Sequence, residues 1–223
     1  MAPYKLIIFD LDGTLSDSFP WFLSVASSIA DKHGFQRIDD VQAMRGKTSR
    51  EIINALNVPL WRLPWIARDM RKLKSLSLHK IPLFPDVPEM LAALAQRGLA
   101  LAVVSSDSEQ NARRALGPAV SFPKYFACGA ALFGKARKFK QVMKAAGIAA
   151  GATLAIGDEV RDAEAAKAAG VDFAGVAWGY ATVDALAKTE PVTIFATVSE
   201  IPGWLSRAEA PPQRASQQRG RGI

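Results

Sequence analysis

Residues 4–9, Tyr4-Lys5-Leu6-Ile7-Ile8-Phe9, run directly into Asp10-Leu11-Asp12-Gly13-Thr14-Leu15. A short apolar run bounded by a turn reads as a buried strand. This one ends in two carboxylates with one residue between them. Side chains two apart on an extended strand point to the same face, and Gly13 lets the chain turn sharply behind them. Two acids are therefore held together at the mouth of a strand, where a nucleophile and an acid–base group can cooperate.

Further apolar runs recur at residues 99–105, 153–157 and 173–178, with shorter candidates at 125–128 and 193–196. Helical patterns lie between them. Val87, Met90, Leu91 and Leu94 have helical spacing, and Gly98 is placed to end that helix. Residues 139–146 and 162–169 also read as helices, each followed by a glycine, Gly147 or Gly170. Continuous apolar strands alternating with helices predict an α/β fold: a Rossmann-like parallel sheet with helices on both faces.

Residues 18–80 break the alternation. They contain no convincing strand, and 21–30, 50–56 and 64–73 look helical. Pro82, Pro85 and Pro88 mark the return to the sheet. The expected organisation is a discontinuous core at 1–17 and 82–206, an inserted helical cap at 18–81, and a tail at 207–223. The tail carries four arginines, Pro211-Pro212 and three glutamines against Glu209 alone. It cannot bury apolar surface and is expected to be disordered. No internal repeat is visible.

The 223 residues are 49% hydrophobic and 22% charged, with a net charge of +7, which suits a globular chain with a real core. No apolar stretch approaches the roughly 18 residues of a membrane span, and the N-terminus does not read as a signal peptide. Cys128 is the single cysteine, so no intrachain disulfide can form. These features favour the cytoplasm. The basic tail is read as a solvated segment rather than a nucleic-acid contact. The oligomeric state is open.

Open parallel sheets bind ligands outside the carboxyl ends of their strands. The first strand brings Asp10 and Asp12 there. The second brings Ser105, then Ser106 and Asp107. A loop before a helix brings Gly134-Lys135, and the 153–157 strand brings Asp158, Glu159 and, one turn on, Asp162. Several acids, a hydroxyl and a lysine at one edge suit an oxygen-ligated hard cation such as Mg²⁺, which binds carboxylates, water and substrate phosphate. Two histidines and one cysteine do not suit structural zinc. A carboxylate attacking phosphorus makes an aspartyl-phosphate, and that attack needs cations to offset the phosphate charge.

Asp10-Leu11-Asp12-Gly13-Thr14-Leu15 resembles the first motif of the haloacid dehalogenase superfamily. Ser105 at a strand end resembles its second, Lys135 its third, and Gly157-Asp158-Glu159-Val160-Arg161-Asp162 its fourth. The motifs occur in the right order and span most of residues 4–180. The resemblance implies Asp10 as nucleophile and Asp12 as the group that protonates the leaving oxygen and then activates water. It implies Ser105 and Lys135 on the phosphoryl oxygens, with Gly13, Thr14 and Ser106 beside them. Asp10, Asp12, Asp158 and Asp162 would hold Mg²⁺, Asp12 through its backbone carbonyl. An acid at position 12 matches the phosphatases and phosphomutases rather than the dehalogenases.

The helical insertion and Trp178-Gly179-Tyr180 resemble the phosphoglycolate phosphatase-like branch. There a small cap selects the leaving group, and Arg45 and Lys47 fall in the matching cationic segment. The implied activity is hydrolysis of a small anionic phosphate such as phosphoglycolate. A beta-phosphoglucomutase-like isomerase is the alternative, and a binding module using the tail a lesser one.

Some readings stay open. Ala136 follows Lys135 where the family often has proline, and Lys138, one turn on, competes for the role. Glu159 is read either as an acid behind the metal or as a charge at a helix N-terminus. Arg45 and Lys47 suit a solvated face as well as a substrate contact. Gly46-Lys47-Thr48 is not a P-loop, because Val41 stands where the first glycine is required. His33 and His79 read as surface or packing residues, Cys128 as a buried small residue, and Trp21, Trp61 and Trp65 as core of the insertion.

Overall fold

The structure, a computed structural model, describes residues 4–129 and 134–209. Strand β1 (Leu6–Phe9) is followed by four helices, α1 (Phe19–His33), α2 (Val41–Arg45), α3 (Ser49–Ala55) and α4 (Leu63–Ser77). The chain continues through α5 (Val87–Gln96), β2 (Ala100–Val103), α6 (Glu109–Leu116), β3 (Tyr125–Phe126) and α7 (Lys135–Ala146). It closes with β4 (Thr153–Gly157), α8 (Val160–Ala169), β5 (Asp172–Val176), α9 (Val183–Ala187), β6 (Thr193–Phe195) and α10 (Glu200–Glu209). The six strands form one parallel sheet in the order β3-β2-β1-β4-β5-β6.

The β1 sequence explains its central place. Leu6, Ile7, Ile8 and Phe9 are all fully buried, as a strand covered on both faces requires. Their side chains alternate. Ile7 and Phe9 pack with Leu91 and Leu94 of α5, Leu116 of α6 and Leu205 of α10. Leu6 and Ile8 pack with Phe139 and Val142 of α7, Ala166 of α8 and Leu186 of α9. Helices therefore cover both faces. Deleting a fully buried leucine from such a layer costs about 2–5 kcal/mol.

Helix ends follow local chemistry. Gly34, Gly147 and Gly170 take left-handed conformations after α1, α7 and α8, as C-terminal glycines do. Thr48 and Glu51 form a reciprocal cap at the start of α3. Helices α6 and α10 were not legible as apolar patterns, and their reasons differ. Helix α6 buries Asn111 beside Ala112 and Leu116, and α10 contains Pro202 and Gly203.

The helical insertion leaves and rejoins the sheet through a paired crossing. Ser16 bridges Leu83, the Asp17 amide donates to the Pro82 carbonyl (2.9 Å), and the Phe84 amide donates to the Leu15 carbonyl (3.0 Å). No strand interrupts residues 19–80. The stretch from 207 was expected to be unstructured, but α10 runs on to Glu209; residues 210–223 of that expected tail lie outside the described ones. Trp21 is buried as expected, whereas Trp61 and Trp65 are 65% and 48% exposed, so they do not form a core.

Candidate active site

Register places the strand ends together. Phe9 lies opposite Val103 on one side and Ile156 on the other, so Asp10, Ser105 and Asp158 leave neighbouring strands at the same edge. The Asp10 amide donates to the Ile156 carbonyl (2.9 Å) and Val104 to Phe9 (2.9 Å), extending the ladder to the first acid. Carboxylate oxygens of Asp10, Asp158 and Asp162 lie within 4.8 Å of one another. All three residues are buried.

Glycines make that crowding feasible. A Cβ at Gly13 would sit 2.2 Å from Asp158 Oδ2, one at Gly179 2.1 Å from Asp158 Cβ, and one at Gly157 2.5 Å from Asp162 Oδ2. Gly13 also has φ +81°, which L side chains disfavour. The Asp158 carboxylate is then fixed by donors: the Thr14 hydroxyl gives a hydrogen bond to Oδ1 (2.7 Å) and the Tyr180 amide one to Oδ2 (2.8 Å). The Glu159 amide donates to Asp162 Oδ2 (3.2 Å), which orients Asp162 on the first turn of α8.

Cations answer part of the charge. Lys135 Nζ lies 2.8 Å from Asp10 Oδ2 and also pairs with Asp162. Arg161 pairs with Glu159 at 2.6 Å. Burial pushes the Asp10 carboxyl up to about 7, Lys135 opposing and Asp162 reinforcing. Burial raises Asp158 well above the carboxylate range, and the charges of Glu159, Asp10 and Asp162 add to it. Burial would lower the Lys135 ammonium, but Asp10 and Asp162 more than reverse this and hold it up. Four carboxylates thus face two cations, and a divalent cation among Asp10, Asp158 and Asp162 would balance the remainder. An all-oxygen donor set of this kind fits a hard cation.

Asp12 stands apart from this cluster. It pairs with Lys74, which α4 inserts from the helical segment. Lys74 Nζ also lies 2.8 Å from Asp107 Oδ2, and Asn111 Nδ2 donates to Asp107 Oδ1 (2.8 Å). Burial alone would raise Asp12, but Lys74 outweighs it and holds the carboxyl below the usual range. One turn before Lys74, Arg71 Nε donates to the Ser106 carbonyl (2.8 Å).

The sequence-derived residues fall out as follows. Ser105 is fully buried, and its hydroxyl accepts from the Asp107 amide (3.0 Å). Lys135 is in the cluster, while Lys138 is partly exposed. The Gly13 and Thr14 amides donate within their own turn, to Ser16 and Leu11, and the Thr14 hydroxyl serves Asp158. Arg45 donates through Nε to the Tyr180 carbonyl (2.8 Å) and through Nη2 to that of Gly179 (3.0 Å). Lys47 lines the cavity beside the site. Glu159 stands at the N-terminus of α8 with its carboxylate on Arg161. Lys74 and Arg161 were not anticipated as site residues. Lys74 sits in a basic stretch with Arg71 and Lys72 that reads as a solvated face, so no local signal marked it.

Residues 7–176 match the haloacid dehalogenase-like hydrolase family. A phosphoglycolate phosphatase from Synechococcus elongatus is 31% identical over 204 residues, 88% of this chain and 95% of that one. Another from Mesorhizobium japonicum is 31% identical over 196 residues, covering 78% of this chain and 83% of that one. The solved structure of a predicted phosphatase from Clostridium acetobutylicum shares the fold with a TM-score of 0.79 at 18% identity, over 92% of this chain and 100% of that one. No described helix is long and apolar enough to cross a membrane. The chain belongs to the haloacid dehalogenase-like hydrolase family, in its phosphoglycolate phosphatase-like branch, and is a phosphatase of that family.

Proposed function

We propose that the chain is a Mg²⁺-dependent phosphomonoester hydrolase working through an aspartyl-phosphate on Asp10. The observation that carries this reading is the buried cluster of Asp10, Asp158 and Asp162 with Lys135 on Asp10. Mg²⁺, held by the Asp10, Asp158 and Asp162 carboxylates with the Asp12 carbonyl, would offset phosphate charge as phosphorus is attacked.

An Asp10 oxygen forms a bond to phosphorus as the ester P–O bond breaks. The departing oxygen takes a proton from Asp12. Water then gives a proton to Asp12 as it attacks phosphorus, and the bond to Asp10 breaks, releasing phosphate. Lys135 and the Ser105 hydroxyl steady the phosphoryl oxygens, with the Ser106 segment beside them. Thr14 and Gly13 act by seating Asp158. Lys74 keeps Asp12 ionised in the arrangement described, the form required of the base, and must release it for the acid step. The segment at 18–81 acts as a cap, hinged at the paired crossing of 15–17 and 82–84, with Arg45 fastening it to the 178–180 loop and Lys47 facing the cavity.

Phosphoglycolate, the substrate in the names of the Synechococcus and Mesorhizobium relatives, is the first small phosphorylated metabolite to assay. Phosphate release that needs Mg²⁺, stops with chelator and returns on adding Mg²⁺ is the expected result. Full activity in excess chelator removes the metal from the reading. Isomer accumulating from a sugar phosphate without free phosphate replaces hydrolysis with mutase chemistry.

A further inference from the structure

A cavity of about 790 Å³ lies against the site and runs into the helical segment. Its end at the sheet carries Asp12, Lys74, Asp107 and Arg161. Its walls are mostly apolar, with Trp21 and Ile29 from α1, Phe35 from the turn after it, Ile53 and Leu56 at α3, and Met70 from α4, interrupted by Arg45 and Lys47. The volume lies in the range of sites that enclose a drug-sized ligand, roughly 300–1,000 Å³. Phosphoglycolate would fill the charged end and touch little of this wall.

We propose that the site also hydrolyses phosphomonoesters of apolar alcohols, the phosphate at Asp10 and the hydrocarbon body in the chamber between α1, α3 and α4. This rests on the phosphatase reading above and adds a substrate class to it. Charge fixes the orientation. The dianionic end meets Lys74 and Arg161 at the sheet end of the cavity, with Lys135 behind on Asp10, and the walls offer the body apolar contact. Bond making and breaking are unchanged: the ester P–O bond breaks, phosphorus passes to Asp10 and then to water, and the alcohol oxygen leaves with the Asp12 proton.

The test is a series of n-alkyl phosphates from ethyl to octyl, assayed with Mg²⁺ beside phosphoglycolate. Each methylene buried is expected to raise kcat/KM by about fourfold until the chamber is full. A flat or falling series with phosphate released overturns the proposal and leaves the phosphatase reading intact. No release from any ester, phosphoglycolate included, overturns both. Calorimetry gives a second readout: hexylphosphonate is expected to bind tighter than methylphosphonate, with the more negative heat-capacity change of apolar burial, and equal binding counts against the chamber. Ala67→Phe, or Ala26→Phe on the facing helix, is expected to lower the hexyl-to-ethyl ratio at least about tenfold. An unchanged ratio in a folded variant overturns the proposal.

Discussion

At the carboxyl edge of the sheet, Asp10, Asp158, Asp162 and Lys135 are almost completely buried, whereas the helical segment leaves Leu60, Trp61, Trp65 and Leu76 in solvent. The two regions face one cavity but are specified in different ways. At the sheet edge, strand register and three glycines leave each carboxylate one position, and every charge has a named neighbour. In the helical segment, α1, α3 and α4 surround a chamber, and several large apolar side chains face outward. Rigid placement suits a reaction that tolerates little misalignment. A loosely filled helical layer suits the choice of a leaving group, because its walls can change without moving the acids. Lys74, Arg71 and Arg45 are where the two regions depend on each other directly.

The largest expected effect tests the sheet edge. Asp10→Asn is expected to keep the fold and lower kcat by about 10⁴-fold or more, since the proposed nucleophile is lost; residual rates near wild type in a steady-state assay would remove Asp10 from the chemistry. Lys74→Met tests the link. It leaves the buried Asp107 carboxylate and the partly exposed Asp12 carboxylate without their cation, which is expected to cost about 3 kcal/mol in denaturant unfolding. Asp12, now freed from the charge that lowers it, is also expected to titrate higher, so the acid limb of kcat against pH, which reports the water-activating step, moves up. An unmoved limb would detach Lys74 from Asp12.

A third comparison sets core against insertion. Leu91→Ala, in the fully buried layer beside β1, is expected to lose about 2–5 kcal/mol. Trp61→Ala, largely in solvent, is expected to stay within about 0.5 kcal/mol. Comparable losses in thermal or denaturant unfolding would mean that the exposed tryptophans are covered by something else.

The smallest effect concerns the fastening of α1 to α4. Asp69 of α4 meets Lys32 at 2.7 Å and His33 at 3.1 Å. Lys32 in particular holds its carboxyl down, to about 2, against an ordinary value of about 3.9. The folded form is the one with the lower pKa. The stabilisation is therefore complete above about pH 4 and is lost as pH falls toward 2. Asp69→Asn is expected to flatten the stability profile across that window, and an unchanged acid slope would contradict the pairing.

The sheet and its strand-end acids were legible because those acids follow continuous apolar runs. Asp10 after residues 6–9 and Asp158 after 153–157 announce themselves by position, and Gly13 marks the turn. Lys74 was not legible because its partner Asp12 lies 62 residues away and its neighbours are ordinary basic helix residues. Helix α6 hid because it buries Asn111, whose amide reaches Asp107 and the Arg71 carbonyl; a helix face that packs through hydrogen bonds carries no apolar period. Trp61 and Trp65 misled in the other direction. Large aromatic residues suggested a core, but each sits on an outer face of the insertion, in edge contact with the other.

In the proposed mechanism Asp10 carries the phosphoryl group while Asp12 moves the proton. Asp12→Asn removes the base that activates water, so the intermediate should accumulate. The direct measurement is mass spectrometry of an acid-quenched digest after incubating this variant with a turned-over phosphomonoester and Mg²⁺. The expected result is one phosphoryl group on the peptide containing Asp10, absent when Asp10→Asn is added. A phosphoryl group on Ser105 or Ser106 instead, or no labelled peptide while the ester is still cleaved, would contradict the account.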